Sequence, residues 1–255
     1  MFEGKVALVT GSADGLGKVT AMMLAERGAD LVLCDVLEEK LEQARKKIEA
    51  LGRKCLACLA DVTLRSEVEH MVGSAVDRFA KIDFWVNNAG GPLFGPREIE
   101  EITDEEWDRV VDVNLKGAFI CCRAVVPVMK RGKSGAIVNL SSAAARDGGG
   151  GSGPAYVAAK AGIIGLTRNL ARDLAPFNIR VNAVAPGLTL TSDTQRARVF
   201  SDAFQERLER MSNPVAMKRC AEPQEIASVI CFLLSNEASF ITGVTLDVSG
   251  GRCFA

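Results

Sequence analysis

The stretch Lys5–Gly17, KVALVTGSADGLG, decides the fold. Its first six residues form a short apolar run that ends before a glycine, which predicts a buried strand. Gly11, Gly15 and Gly17 follow, and the apolar spacing from Gly15 to Gly28 is helical. A glycine-rich turn between a strand and a helix lets the backbone approach a pyrophosphate, which the helix N-terminus stabilises. We therefore predict a dinucleotide-binding turn here, with a tight turn that binds no ligand as the alternative.

Apolar runs and amphipathic stretches alternate along the rest of the chain. The predicted strands are Lys5–Thr10, Asp30–Asp35, Lys54–Ala60, Ile82–Val86, Ala136–Leu140, Ile179–Ala185 and Val244–Val248. Strands that alternate with helices form a parallel sheet with both faces covered, and right-handed crossovers make it doubly wound. The sequence therefore predicts an α/β fold, a single Rossmann-type domain over residues 1–255 with about seven strands.

Several local features are also predicted. Thr103 is an N-cap, because three acidic residues follow it and acids suit a helix N-terminus. Pro127 is expected to bend or shorten a helix that runs to about Lys130. The glycine-rich segment Asp147–Pro154 is interpreted as a loop at the carboxyl edge of the sheet. The polar stretch at about 188–214 lacks strong periodicity, which indicates a substrate lid.

Composition excludes several classes of partner. The chain has 255 residues, 48% of them hydrophobic and 25% charged, and its net charge is -1. Nucleic acid and anionic membranes bind clustered Lys and Arg, so this balance argues against both. No uncharged apolar run approaches the roughly 18 residues of a membrane span. Because Met1–Lys5 leads directly into an apolar strand without a signal peptide, we expect a cytoplasmic protein.

The cysteines and the histidine do not predict a metal site. Of eight cysteines, Cys55 and Cys58 have C-x-x-C spacing. In the predicted strand around them, side chains three apart point to opposite faces, so the two thiols cannot share a metal or a disulfide. We interpret them as buried small hydrophobic residues. The only histidine, His70, lies in a predicted helix among charges, which indicates a solvated side chain rather than a zinc ligand.

Asp35 points to the choice of dinucleotide. It ends the second predicted strand, 18 residues beyond Gly17. A carboxylate at this place accepts hydrogen bonds from both hydroxyls of an adenosine ribose and repels a 2′-phosphate. Asp14 adds a second negative charge, and no Lys or Arg is adjacent to either residue in the sequence. The balance favours NAD over NADP.

Tyr156 and Lys160 are candidates for proton transfer. They lie four residues apart at the start of a predicted helix, hence on one face, and Tyr156 is the only tyrosine. Lowering the pKa of a phenol from about 10 to about 7 takes roughly 4 kcal/mol, which a nearby ammonium, a positive nicotinamide and a dry site would have to supply. By itself this spacing is more typical of a surface pair.

Taken in order, these motifs resemble the short-chain dehydrogenase/reductase family from about Lys5 to Gly251. The matching segments are Thr10-Gly11-x-x-x-Gly15-x-Gly17, Asp61-Val62, Asn87-Asn88-Ala89-Gly90, Val113-Asn114-Leu115, Asn139-Leu140-Ser141-Ser142, Tyr156-x-x-x-Lys160 and Pro186-Gly187-Leu188-Thr189-Leu190-Thr191. Each motif alone is weak evidence, whereas their order together is highly specific.

The resemblance implies four catalytic residues. Tyr156 is the general acid in reduction and the base in oxidation, and Ser142 stabilises charge developing on the substrate oxygen. Lys160 binds the nicotinamide ribose and depresses the pKa of Tyr156, while Asn114 positions a water that links Lys160 to solvent. The residues implied to contact NAD are Gly11, Ser12, Asp14, Gly15, Leu16, Gly17, Asp35, Asp61, Val62, Asn88, Ala89, Gly90, Tyr156, Lys160, Pro186, Gly187, Thr189 and Thr191.

The resemblance leaves some alternatives open. Ser142 and Tyr156 are 14 residues apart, one more than expected for many relatives, so Ser141 competes with Ser142 for the serine role. We predict an NAD-dependent dehydrogenase acting on a small-molecule secondary alcohol or ketone. The alternatives are a 3-oxoacyl reductase that uses NADPH, a dinucleotide sensor without catalysis, and a nucleotide-sugar epimerase. Asp35, and the absence of charge at Phe177 in the loop Ala175–Asn178, argue against the first alternative.

A homotetramer is also expected. The family resemblance implies it, and the apolar residues of the predicted helices around Val110–Val126 and Ile163–Leu174 offer a surface for it.

Overall fold

The apolar runs pair into one parallel sheet in the computed structural model, which describes residues 1–95, 98–149, 152–191 and 215–253. The strands are β1 Val6–Thr10, β2 Asp30–Asp35, β3 Cys55–Leu59, β4 Phe84–Asn87, β5 Gly135–Leu140, β6 Ile179–Pro186 and β7 Thr245–Val248. Their order is β3-β2-β1-β4-β5-β6-β7, and every neighbouring pair is parallel. The predicted doubly wound sheet of seven strands is confirmed. The direction of winding changes between β1 and β4, which creates a crevice at their carboxyl ends.

Helices cover both faces of the sheet. They are α1 Gly15–Glu26, α2 Glu38–Ala50, α3 Arg65–Phe79, α4 Asp104–Val111, α5 Gly117–Gly132, α6 Ala144–Asp147, α7 Pro154–Leu174 and α8 Pro223–Leu234. The predicted cap is present, because the Thr103 hydroxyl accepts a hydrogen bond from the backbone N–H of Glu106. Within the described residues, no helix has both the length and the apolar character needed to cross a membrane.

Pro127 is expected to bend or shorten helix α5; the shortening is wrong, and the bend stays a prediction. Helix α5 continues through this residue to Gly132. A proline cannot donate to the carbonyl four residues earlier, here that of Arg123. Both residues are on the exposed side of the helix, so water can bond this carbonyl and the helix tolerates the interruption.

The core has one layer on each face of the sheet. Along β1, Ala7 and Val9 pack into one layer, and Val6 and Leu8 into the other. The C-x-x-C pair divides in the same way, because Cys55 is buried in the first layer and Cys58 packs against the second. Their placement on opposite faces is confirmed, but only Cys55 is buried as predicted, since Cys58 is half-buried. Burial raises the pKa of both thiols. His70 is exposed, as predicted.

Amide side chains hold the carboxyl ends of the central strands together. The Nδ2 of Asn88, just after β4, donates to the carbonyl oxygens of Thr10 (2.9 Å), the last residue of β1, and Gly11 (3.0 Å), which follows it. In the interior, Asn87 donates to Asn139 at 2.8 Å, and Asn139 donates to Thr167 of α7 at 2.9 Å. Buried amides that are fully paired in this way favour a single arrangement of the strands, so the edge that carries the candidate site is held by hydrogen bonds.

Candidate active site

A cleft of about 780 Å³ lies at the carboxyl edge of the sheet. It is lined by most residues predicted for the site: Gly11, Asp14, Gly15, Leu16, Asp35, Asp61, Val62, Asn88, Ala89, Gly90, Ser142, Tyr156, Lys160, Pro186, Gly187, Thr189 and Thr191. The structure thus brings together segments from nearly the whole chain. Three predicted residues, Ser12, Gly17 and Asn114, are not in the lining.

Ser12 and Gly17 support the glycine turn from behind. The Ser12 hydroxyl donates to the carbonyl of Cys34 at 3.3 Å and accepts from its N–H at 3.0 Å, so it ties the turn to β2. A Cβ at Gly17 would lie 2.0 Å from the carbonyl oxygen of Gly11, so α1 can pack against the turn only without a side chain there. Gly11 itself has φ +65, a conformation that favours glycine.

The predicted lid falls mainly outside the described residues, which omit 192–214. Its first residues are described, and Thr189, which pairs with Ala221 as a parallel bridge, lines the cleft. Whether the segment closes over a substrate stays a prediction.

Asp35 lies where the sequence predicts a ribose-binding carboxylate. Its Oδ2 accepts from the N–H of Ala13 at 2.9 Å, and its Oδ1 accepts from Val36 (2.8 Å) and Leu37 (3.1 Å). These bonds orient the carboxylate at the wall of the cleft. Oδ1 already accepts two hydrogen bonds, and Oδ2 has one further lone pair for a hydroxyl. Among the described residues, no lysine or arginine forms an ion pair with Asp35.

The surroundings of Asp14 differ from the prediction. The sequence places no cation beside it, yet the Nζ of Lys40 in α2 lies 2.5 Å from its Oδ2. The hydrogen bond from Lys40, together with the N–H of Gly15 and despite partial burial, lowers the pKa of Asp14. The positive charge therefore reaches this part of the cleft from 26 residues away in the chain, and Asp14 is not an unopposed carboxylate.

Arg109 lines the cleft although no sequence motif predicts it there. Its Nη2 lies 3.8 Å from Oδ2 of Asp61, and both side chains line the cleft. Asp61 also accepts hydrogen bonds from the N–H and hydroxyl of Thr63. Arg109 lies in α4, 48 residues from Asp61, and no motif around it indicates the cleft.

Ser142, Tyr156 and Lys160 converge at the other end of the cleft. Pro154 occupies the first turn of α7, where its missing N–H removes no helical bond. The next turns present Tyr156 and Lys160 on one face, with Lys160 Nζ 5.6 Å from the centre of the Tyr156 ring. The buried ammonium donates to the carbonyl oxygen of Leu140 at 2.8 Å.

The two candidate serines have different surroundings. The buried Ser141 hydroxyl donates to the backbone carbonyl of Lys160 at 2.8 Å and thereby joins β5 to α7. The Ser142 hydroxyl accepts from the N–H of Ala144 at 3.1 Å, and the Ser142 side chain lies close enough to Tyr156 to lower the pKa of that phenol in part. This arrangement favours Ser142 for the predicted role at the substrate oxygen.

Burial dominates the ionisation of the Tyr156 and Lys160 pair. It raises the pKa of the Tyr156 phenol, although the hydrogen bond with Ser142 lowers it in part. It lowers the pKa of the Lys160 ammonium to about 8, because the charged form loses its hydration. The protein alone therefore does not show the depressed phenol pKa that the resemblance implies.

Asn114 shapes the cleft from outside its lining. It lies in a single π-helical turn, Asp112–Lys116, between α4 and α5. Its Nδ2 donates to the carbonyls of Gly91 (2.8 Å) and Val110 (2.9 Å), and its Oδ1 accepts from the N–H of Gly91 (3.0 Å). A Cβ at Gly90 would lie 2.4 Å from that Oδ1 and 3.5 Å from Lys160 Nζ. Asn114 thus fixes the turn at Gly90 and Gly91 beside Lys160. Its role in positioning water stays a prediction.

The residues present fit a dinucleotide. The cleft volume lies within the range of ligand sites, and the cleft extends from Asp35 past the glycine turn to Tyr156. The 12-residue helix α1 begins at Gly15, directly at the cleft, and its N-terminus favours an anion such as pyrophosphate.

In the part of the chain that the structure describes, no three Cys, His, Asp or Glu side chains cluster as a metal site.

Known proteins are similar to this chain in both sequence and fold. A family model described as Enoyl-(Acyl carrier protein) reductase matches residues 11–252. The chain is 39% identical over 249 residues to a Thermotoga maritima protein named 3-oxoacyl-(acyl-carrier-protein) reductase FabG, covering 98% of each. It resembles the crystal structure of an NAD+-bound xylitol dehydrogenase (TM-score 0.91, 37% identity, 98% and 99% covered) and that of levodione reductase (TM-score 0.92, 35% identity, 99% and 98% covered).

The sheet, the cleft and these similarities all indicate the same protein family. The chain belongs to the short-chain dehydrogenase/reductase family, whose members are oxidoreductases that use a nicotinamide cofactor.

Proposed function

We propose that this protein interconverts a secondary alcohol and a ketone with NAD(H) as its cofactor. The observation that carries the proposal is the shared cleft. One end has an oriented carboxylate, Asp35. The other has the hydroxyls of Ser142 and Tyr156, and the buried ammonium of Lys160 lies 5.6 Å from the centre of the Tyr156 ring. A carbonyl oxygen that meets the two hydroxyls would receive a hydrogen bond from one and a proton from the other.

In reduction, Tyr156 gives its proton to the substrate oxygen, and Ser142 donates a hydrogen bond to the charge that develops there. When bound, the nicotinamide supplies the hydride in reduction and accepts it in oxidation. Burial keeps the Tyr156 phenol protonated, the state that a general acid needs. In oxidation the same group must accept a proton. Lys160 Nζ would then stabilise the phenolate through its positive charge.

We propose NAD rather than NADP because of Asp35, whose oriented carboxylate would repel a 2′-phosphate. The xylitol dehydrogenase of similar fold is described as NAD+-bound, which supports this choice. The Asp14–Lys40 ion pair is a qualification, since Lys40 would attract a 2′-phosphate if the pair separated. The predicted cofactor contacts follow the lining residues that extend from Gly11 to Thr191.

The second candidate function is a 3-oxoacyl reductase. The Thermotoga maritima relative carries that name, and one argument against it is weaker in the structure than in the sequence. The loop around Phe177 has no charge of its own, but Lys130 Nζ lies 4.1 Å from the centre of the Phe177 ring. A cation for an acidic carrier protein is therefore present at this place, and Asp35 remains the main argument against an NADPH-dependent enzyme.

A panel assay separates the two functions. Alcohols, ketones and acetoacetyl thioesters are each incubated with NAD(H) and with NADP(H), and the absorbance of the reduced nicotinamide is followed. The proposal expects turnover of a simple alcohol or ketone with NAD(H). Tyr156→Phe serves as the control and should lose turnover by at least about 10³-fold while NADH fluorescence still reports binding. A strong preference for NADPH with acetoacetyl thioesters would establish the second candidate instead.

We also propose a homotetramer. Two large hydrophobic side chains of the predicted interface helices are partly exposed, Trp107 in α4 and Phe119 in α5 (40% and 45%). By contrast, Ile163 and Ile164 of α7 are buried within the chain. Light scattering that shows a monomer at micromolar concentration would overturn this proposal.

A further inference from the structure

Two ion pairs join helix α6 to the C-terminal part of the chain. Arg252 Nε lies 2.6 Å from Oδ2 of Asp147, and Arg146 Nε lies 3.2 Å from Oδ1 of Asp247 in β7. The partners of the first pair are 105 residues apart in the sequence, and only 21% and 28% of their side chains is exposed. Arg252 itself also lines the cleft. The two pairs connect the start of the glycine-rich loop to the last strand and to the turn that follows it.

In the sequence, helix α6 lies between Ser142 and Tyr156, the residues that carry the two proposed catalytic hydroxyls. Two residues before it, Ser142 accepts the N–H of Ala144. At its end, the second oxygen of Asp147 accepts the N–H of Gly149 at 2.9 Å. A Cβ at Gly149 would lie 2.6 Å from Val157 and 3.0 Å from Ala144, so this glycine packs directly against the residue after Tyr156. A displacement of Asp147 would therefore reach both hydroxyls.

The sequence gives this segment little rigidity of its own. Helix α6 has four residues, too few to be stable in isolation. Gly148 and Gly149 follow Asp147 with φ +82 and +78, and glycine loses more conformational entropy on ordering than any other residue. A contact from outside the segment must therefore hold it in one conformation, and the Arg252–Asp147 pair supplies such a contact at its junction with the glycines.

We propose that Arg252 is a positioning residue for the substrate end of the site, acting through Asp147 to hold α6 and the turn at Gly149 in register with Ser142 and Tyr156. The inference rests on the proposed function in that it assigns these hydroxyls to the substrate. A surface ion pair usually contributes little to stability, whereas the Arg252–Asp147 pair is expected to affect turnover.

The test compares Arg252→Gln, Asp147→Asn and the double variant with wild type, using the best substrate of the panel. Arg53→Gln is the matched control, because Arg53 has similar exposure (24%) and pairs with Glu3 at 2.8 Å, at the opposite edge of the sheet. Each single variant is expected to lower kcat/KM at least about tenfold, mainly through kcat, and to leave the Kd for NADH within about twofold. The double variant should be no worse than the poorer single variant, since both changes remove one connection. Arg252→Lys, which keeps the charge, should retain at least about a third of wild-type kcat.

Amide hydrogen exchange of a peptide over Ser142–Gly149 gives a readout independent of turnover. Exchange should be faster in Arg252→Gln and unchanged in Arg53→Gln. Losses that multiply in the double variant, or unchanged kcat with unchanged exchange in Arg252→Gln, would overturn the inference. If wild type binds NADH but converts no member of the panel, the proposed function fails while the exchange comparison still decides the positioning role. If Arg252→Gln does not fold, Arg252→Lys and Asp147→Asn are judged by the same measurements.

Discussion

Replacing Lys160 with methionine is expected to make the folded protein more stable and to remove its activity. The ammonium is buried, and burial lowers its pKa from 10.5 to about 8. A difference of this size between the folded and unfolded states corresponds to about 3 kcal/mol of destabilisation at pH 7. The variant also loses the hydrogen bond to the carbonyl of Leu140, and this loss offsets about 1 kcal/mol of the stability gained. We therefore expect a net gain of about 2 kcal/mol in the free energy of unfolding at pH 7.

The pH dependence identifies the cause of this gain. Because the folded pKa lies below the unfolded one, the unfolded state binds more protons between about pH 8 and 10.5, so the wild type becomes more stable as pH rises through this window. The advantage of the variant should be full below pH 8 and should shrink by about 2 kcal/mol by pH 9.5.

Urea unfolding at pH 7 and pH 9.5 measures this effect, with Lys116→Met as the control. Lys116 is 56% exposed and pairs with Asp112 one helical turn away, so its replacement should change stability by less than about 0.5 kcal/mol at either pH. A Lys160→Met variant that is less stable than wild type at pH 7, or whose advantage does not change with pH, would refute the reasoning.

Three further predictions follow from the geometry of the cleft. Asp14→Asn removes a negative charge from the cleft and keeps the positive charge of Lys40 nearby, so the preference for NAD over NADP in kcat/KM should fall about tenfold; an unchanged ratio would show that this pair is not near the 2′ position. Gly17→Ala places a methyl group 2.0 Å from the Gly11 carbonyl; it should lower the Tm by several degrees and weaken NADH binding, whereas normal values for both would contradict the close packing. Ser142→Ala should lower kcat by about 10²-fold, while Ser141→Ala should lower stability by about 1 kcal/mol and leave kcat within about threefold; the reverse pattern would assign the catalytic role to Ser141.

The sequence by itself determined the fold and most of the cleft. Strand positions were predictable because apolar runs and helical stripes are local, and the bounds of β2 agree at both ends with the expected Asp30–Asp35. The lining was predictable because parallel strands end at one edge, so residues that follow β1, β4 and β5 meet there. Gly11, Asn88 and Ser142 are examples, and each directly follows or closely follows its strand.

The tertiary structure alone decided which charges meet and how they ionise. Lys40 reaches Asp14, Arg109 approaches Asp61, and Arg252 pairs with Asp147, although no periodicity links these positions in the sequence. Such contacts depend on where a helix returns to the sheet and on the register of the strands, and local spacing does not contain this information. Burial is likewise a property of the whole fold. The raised pKa of Tyr156 and the lowered pKa of Lys160 arise from desolvation, which depends on every element packed around them.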